Sequence, residues 1–127
     1  MDGCTNYTVL SEADRAQGDT RPPHNRSDLG LVTGWYRFEG AAGDRMLDKC
    51  VPMYRCGTKY PGWLSGLNPT VTEGVVTRTV CYSGYRSCCA YSNTIRVKKC
   101  SSYYVYELPR TNRRYCVKAG TGHGKLH

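Results

Sequence analysis

The chain has 127 residues, a net charge of +8, eight cysteines, eleven tyrosines, two tryptophans and one phenylalanine. That length fits one domain, and no stretch is apolar enough to span a membrane as a helix, so membrane insertion is not expected. The charge is uneven: residues 1–48 carry five basic and eight acidic side chains, while residues 49–127 carry thirteen basic ones against only Glu73 and Glu107. That balance suits contact with anionic surfaces such as sulfated glycans or acidic proteins, and it also serves solubility.

In chain order, residues 1–30 read as a polar N-terminal arm tethered by Cys4, with Gly18, Pro22, Pro23 and Gly30 breaking regular structure. Within it, Ser11–Ala16 can form one helical turn. Residues 31–117 read as a disulfide-rich core. Gly34–Gly40 predicts an aromatic strand bounded by glycines, with Tyr36 and Phe38 on one face and Trp35, Arg37 and Glu39 on the other. Val75–Cys81 is rich in β-branched residues. Thr94–Lys98 alternates, sending Ile95 and Val97 inward and Arg96 and Lys98 outward. Ser101-Ser102 turns that strand into Tyr103–Leu108, which Pro109 ends. Residues 118–127 read as a flexible tail rich in Gly, Lys and His. The fold class is mostly β with at most a small α content: a compact disulfide-rich single domain around a central aromatic-rich antiparallel sheet.

The cysteines are Cys4, Cys50, Cys56, Cys81, Cys88, Cys89, Cys100 and Cys116. An even count at this density in a small chain with few aliphatic residues predicts a disulfide framework made in an oxidising compartment. Zinc-type CxxC pairs are missing, so no metal and no cofactor is expected. Cys88 and Cys89, neighbours on an extended strand, point to opposite faces and so take different partners. Spacing leaves more than a hundred pairings open. The expected location is extracellular, as a secreted or cell-surface ectodomain. Met1-Asp2-Gly3-Cys4 lacks the basic end and apolar run of a signal peptide. A piece of a longer secreted chain, or one with an added start codon, is the expectation.

The order of motifs resembles the eight-cysteine domain of the uromodulin and pancreatic secretory granule glycoprotein 2 family. The matching pieces are Cys4–Leu10, Gly34–Phe38, Arg45-Met46 with Cys50–Cys56, Trp63–Gly66, Val80-Cys81, Cys88-Cys89, Val97–Cys100, Tyr103–Tyr106 and Tyr115-Cys116. The whole domain then runs over about residues 4–116. The resemblance implies the pairs Cys4–Cys100, Cys50–Cys88, Cys56–Cys116 and Cys81–Cys89. It also implies a glycoprotein context, with innate defence as a theme. One further cysteine pair of uromodulin-like members is absent here. So is the glycosylation sequon that some members place after Tyr-Tyr-Val-Tyr, where a mannose-rich glycan acts as a decoy for microbial adhesins. Glu107-Leu108-Pro109 stands there instead.

Two sequons remain, at Asn6 and Asn25, while Asn68-Pro69-Thr70 is blocked by its proline. Enzymatic activity is not expected, and no residue is assigned a catalytic role. His24 lies in a Pro-rich loop, His123 and His127 lie in the tail, and no nucleophile elbow is present. The aromatic set Trp35, Tyr36, Phe38 and Tyr103–Tyr106 reads as core and sheet packing ahead of a sugar-binding surface. The functional expectation is a non-catalytic structural and recognition module that presents glycans and a basic face. Its expected partners are extracellular proteins or glycans, including microbial adhesins through N-glycans. The alternative is a binder of heparin-like glycans or nucleic acid through Arg96, Lys98, Lys99, Arg110, Arg113 and Arg114, with nucleic acid the less favoured.

Overall fold

The computed structural model describes residues 3–118. Nine strands are present among them: β1 (Thr8–Leu10), β2 (Gly34–Phe38), β3 (Arg45–Met46), β4 (Pro61–Ser65), β5 (Val76–Gly84), β6 (Ser87–Cys100), β7 (Tyr103–Leu108), β8 (Arg114–Tyr115) and β9 (Val117–Lys118). Seven form one sheet in the order β1-β2-β7-β6-β5-β4-β8, and β3 pairs with β9 in a separate ribbon. β1 runs parallel to β2 and β8 parallel to β4; the other neighbours are antiparallel. Among the described residues, helical structure is confined to single 3-10 turns at Ala13–Arg15, Gly40–Ala42 and Val71–Glu73.

The long strand β6 is the spine of the sheet, pairing with β5 on one side and β7 on the other. Its alternation follows the sequence: Ile95 and Val97 are buried and Arg96 is exposed. The turn between β6 and β7 falls at Ser101-Ser102, with Ser101 at φ 53 closing it tightly. Tyr36 and Phe38 of β2, Tyr104, Tyr106 and Leu108 of β7, Val80 and Tyr82 of β5, Leu64 of β4 and Tyr115 of β8 join Ile95 and Val97 in one core. Met46 and Val117 from the ribbon close over it. A glycine is required at position 62, because a Cβ there would stand 2.6 Å from Cε1 of Tyr82.

Tyrosines fill this core because their hydroxyls find acceptors at its rim. Tyr36 donates to the Val32 carbonyl at 2.6 Å, Tyr115 to the Pro109 carbonyl at 2.7 Å and Tyr106 to Asn68 Oδ1 at 2.6 Å. Tyr82 donates to Asn93 Oδ1. Burial pushes the phenols of Tyr82, Tyr106 and Tyr115 above the ordinary tyrosine value. Raised folded-state values mean that stability is fully present below about pH 10, where unfolded phenols stay protonated. Above that it falls by about 1.4 kcal/mol per pH unit for each such group. Ultraviolet phenolate titration is expected to show these three ionising only as the fold is lost; ionisation of all eleven tyrosines near pH 10 with the fold intact would contradict it.

Residues 3–30, expected as part of an arm, are instead built into the domain. β1 joins the main sheet, and Arg15 is only 2% exposed. Its guanidinium meets both carboxylate oxygens of Asp28 at 2.9 Å and donates to the Tyr115 carbonyl at 3.2 Å. Asp28 also accepts from the Tyr115 backbone N–H at 2.8 Å. Two residues far from β8 in sequence thus hold the N-terminal segment to it through a buried, bidentate ion pair. At the other end, Lys118, assigned to the tail, pairs with Arg45 in β9; residues 119–127 lie outside the described residues.

Candidate functional site

Four disulfides join Cys4–Cys100, Cys50–Cys88, Cys56–Cys116 and Cys81–Cys89, and no cysteine is free. Cys88 and Cys89, exposed on β6, anchor two of them. Cys89 ties β6 to β5, and Cys88 ties it to the loop before Pro52. The ring of Trp63 donates to the Cys88 carbonyl at 2.9 Å and packs on Cys56, Cys116, Leu47 and Val51.

Both sequon asparagines are exposed. Asn6 lies at a shallow groove of about 300 Å³ shared with Thr8, Val32 and Trp35. Asn25, bridged to Thr58, borders a broader groove of about 770 Å³ beside Asp14, Asp19 and Arg21. His24 in the same loop has Nε2 2.9 Å from the Thr20 carbonyl and its ring edge-on to Tyr54 at 5.3 Å. His123 and His127 lie outside the described residues.

The six basic residues named as candidate anion binders occupy different environments. Arg96 lies across from Glu107 and binds its two carboxylate oxygens at 2.7 and 2.9 Å. Those hydrogen bonds lower the Glu107 pKa and raise that of Arg96. Arg96 also stands 5.6 Å from the ring of Trp35, and Lys98 follows on that outer face. Lys99 turns to the other face, with Nζ 5.4 Å from the Tyr104 ring. Arg110 is exposed beyond β7.

Arg114 corrects the expectation of a surface cation. It is 3% exposed, pairs with Asp14 at 3.0 Å and donates to the Cys56 carbonyl at 3.1 Å. Desolvation lowers its pKa, and the nearby charge of Arg15 adds to the effect. Arg113, one residue earlier, stacks on the Tyr91 ring with Cζ 3.6 Å from its centroid.

The outer face of β2 and β7 carries a second cation–aromatic arrangement. Arg37 lies 4.1 Å over the Tyr103 ring, donates to the Tyr7 hydroxyl at 3.0 Å and pairs with Glu39 at 3.2 Å. Trp35 and Tyr103, read from the sequence as packing residues, are only partly buried here, while Tyr36, Phe38, Tyr104 and Tyr106 are core. Sequence reading missed Lys59, Tyr60 and Tyr91, which cluster around Arg113. The available signal was an aromatic on each of two segments, but only the pairing of β4 with β8 on one side and with β5 and β6 on the other brings them together.

Residues 36–117 match the family described as the uromodulin-like domain. The chain belongs to that family. Over 98% of its length it is 41% identical to the pancreatic secretory granule membrane major glycoprotein GP2 of Canis lupus familiaris. Uromodulin of Mus musculus is likewise 41% identical over 98% of the chain, and GP2 of Homo sapiens 38% over 92%. This uromodulin-like chain spans 25%, 20% and 22% of those relatives, at most about a quarter of their length. The matched segment runs from the middle of β2 to the start of β9. It therefore holds the whole β5–β6–β7 meander and seven of the eight cysteines, with Cys4, β1 and the buried Arg15 lying before it.

Proposed function

We propose that this uromodulin-like domain is a non-catalytic extracellular recognition module that presents N-glycans at Asn6 and Asn25 on a disulfide-locked β scaffold. The observation that carries the reading is the closure of all eight cysteines in disulfides. Such a framework belongs to an oxidising compartment, the same one in which sequons are glycosylated. It also leaves no thiolate for nucleophilic chemistry. Exposure of both asparagines and the secretory-granule glycoprotein named among the relatives support it further. Its partners would be extracellular proteins or glycans, with microbial mannose-binding adhesins reached through the attached sugars. The basic-strand alternative has weaker support, because Arg96 is paired with Glu107 and Arg114 is buried.

Secretion of the domain from mammalian cells, followed by glycopeptide mapping, tests this. Occupancy is expected at Asn6 and Asn25 and not at Asn68. When the glycans are held in the oligomannose form, a mannose-specific fimbrial adhesin should capture the domain. Asn6→Gln together with Asn25→Gln should abolish capture and leave the fold intact, since both side chains are exposed. Unmodified asparagines, or capture that persists in the double variant, would overturn the glycan-presenting reading.

A further inference from the structure

At the end of the sheet formed by β8, β4, β5 and β6, two cations gather around aromatic rings. Arg15, Arg37, Arg45 and Arg96 each face a carboxylate. Arg113 and Lys59 have no carboxylate partner among the described residues. The Arg113 guanidinium sits over the Tyr91 ring, Cζ 3.6 Å from its centroid and 5.5 Å from that of Tyr82, and one N–H of its Nη1 donates to Asn112 Oδ1 at 2.9 Å. Tyr91 is 48% exposed. Tyr60 meets it edge-on at 6.2 Å, and Lys59 Nζ stands 5.4 Å from the Tyr60 ring. Two buried N–H donors lie in the same neighbourhood without an acceptor among the described residues: Arg113 Nε and Asn93 Nδ2. Asn93 is tied there through its Oδ1, which accepts from Tyr82.

We propose that Lys59, Tyr60, Tyr91 and Arg113 form a binding site for a carboxylate-bearing sugar residue of the sialic acid class. Two unpaired cations and two unspent donors make the spot electropositive beyond its formal charge. A carboxylate supplies the in-plane fork that a guanidinium recognises, reached here through Nη2 of Arg113 and the Nη1 hydrogen that Asn112 does not take. The exposed Tyr91 ring and the half-buried Tyr60 ring offer flat apolar faces that sugar C–H groups pack on. Stacking on Tyr91 fixes the guanidinium plane, so its orientation is set before a ligand arrives. The site deepens the reading of the domain as a recognition module and rests on it, but it uses side chains of this chain and not its attached glycans.

Amide chemical-shift titrations of the deglycosylated domain test it, with sialyllactose, lactose and a heparin-derived octasaccharide as probes. Sialyllactose is expected to shift resonances of Tyr60, Tyr91, Asn93 and Arg113, and lactose at equal concentration is not. Arg113→Lys keeps the charge and loses the fork, so at least a tenfold loss of affinity is expected. Tyr91→Phe should bind as the natural chain does and Tyr91→Ala should not, with the spectrum away from the patch unchanged in both. No shifts with sialyllactose, equal shifts with lactose, or full affinity in Arg113→Lys would each overturn the proposal. Shifts with the octasaccharide alone would also overturn it, leaving a site that reads charge density only. Since adhesin capture depends on the chain's own glycans, its persistence alongside a failed titration would remove this site and leave the wider reading standing.

Discussion

Asp28→Asn is expected to destabilise the domain by about 3–5 kcal/mol, because it strands the Arg15 guanidinium in the interior without its counter-charge. Both side chains of the pair are 2% exposed. Burial works against the arginine's charge, but the hydrogen bonds and charge of Asp28 outweigh it and raise the Arg15 pKa. Glu12, which reaches Arg15 Nε at 3.3 Å, is half exposed and compensates only in part. Arg15→Met should cost a similar amount by leaving the carboxylate uncompensated. The double variant never contains an unpaired buried charge, so its cost should fall at least about 2 kcal/mol short of the sum of the two single changes. Denaturant unfolding with the disulfides intact measures all three. Additivity within about 0.5 kcal/mol would show that the two groups act independently.

Removal of the disulfides one pair at a time, by paired Cys→Ser changes, is expected to follow loop length. Cys4 and Cys100 are 96 residues apart, Cys56 and Cys116 60, Cys50 and Cys88 38, and Cys81 and Cys89 only 8. In the chain-entropy account the longest closure contributes about 4.7 kcal/mol and the shortest about 2.6 kcal/mol. The Cys4–Cys100 variant should therefore have the lowest melting temperature, and the Cys81–Cys89 variant should stay closest to the intact domain. Equal losses from the longest and shortest loops would place the stabilisation in the native contacts around each sulfur. That outcome is sharpest at Cys56 and Cys116, which are fully buried beside Trp63.

What the sequence made legible was local. Alternation placed Ile95 and Val97 inside, and the Ser101-Ser102 turn joined β6 to β7. Pro109 follows the last residue of β7. The adjacent Cys88 and Cys89 were assigned different partners, as opposite-facing neighbours on a strand require. The failures share one cause, which is pairing at long range. Arg15 and Asp28 sit in a polar, breaker-rich stretch, and nothing local signals that they are buried against Tyr115. The six candidate anion binders do not share one face, for a reason already latent in the pattern. Period-2 alternation puts Lys99 on the side of Val97, away from Arg96 and Lys98, and it sends Arg113 and Arg114 in opposite directions. Arg114 then points to Asp14 and the Cys56 carbonyl, partners that only the parallel pairing of β8 with β4 brings near.

The disulfide between Cys4 and Cys100 has a mechanical consequence for a module that spans at most a quarter of its relatives' length and can carry tension between its ends. Without cross-links, a pull applied at Cys4 and Cys116 could draw out the intervening chain to roughly 390 Å at about 3.5 Å per residue. The bond instead passes the load directly from Cys4 to Cys100, leaving the stretch to Cys116 as the shortest covalent route, or roughly 55 Å at the same rise. That stretch comprises β7, Pro109 and β8. A second covalent route runs from Cys100 along β6 to Cys88, across to Cys50 and from Cys56 to Cys116; it is the longer, and β1 to β5 lie on neither. Under load the domain is a short tether with a hard stop, and the grooves beside Asn6 and Asn25 ride in the part that is not stretched.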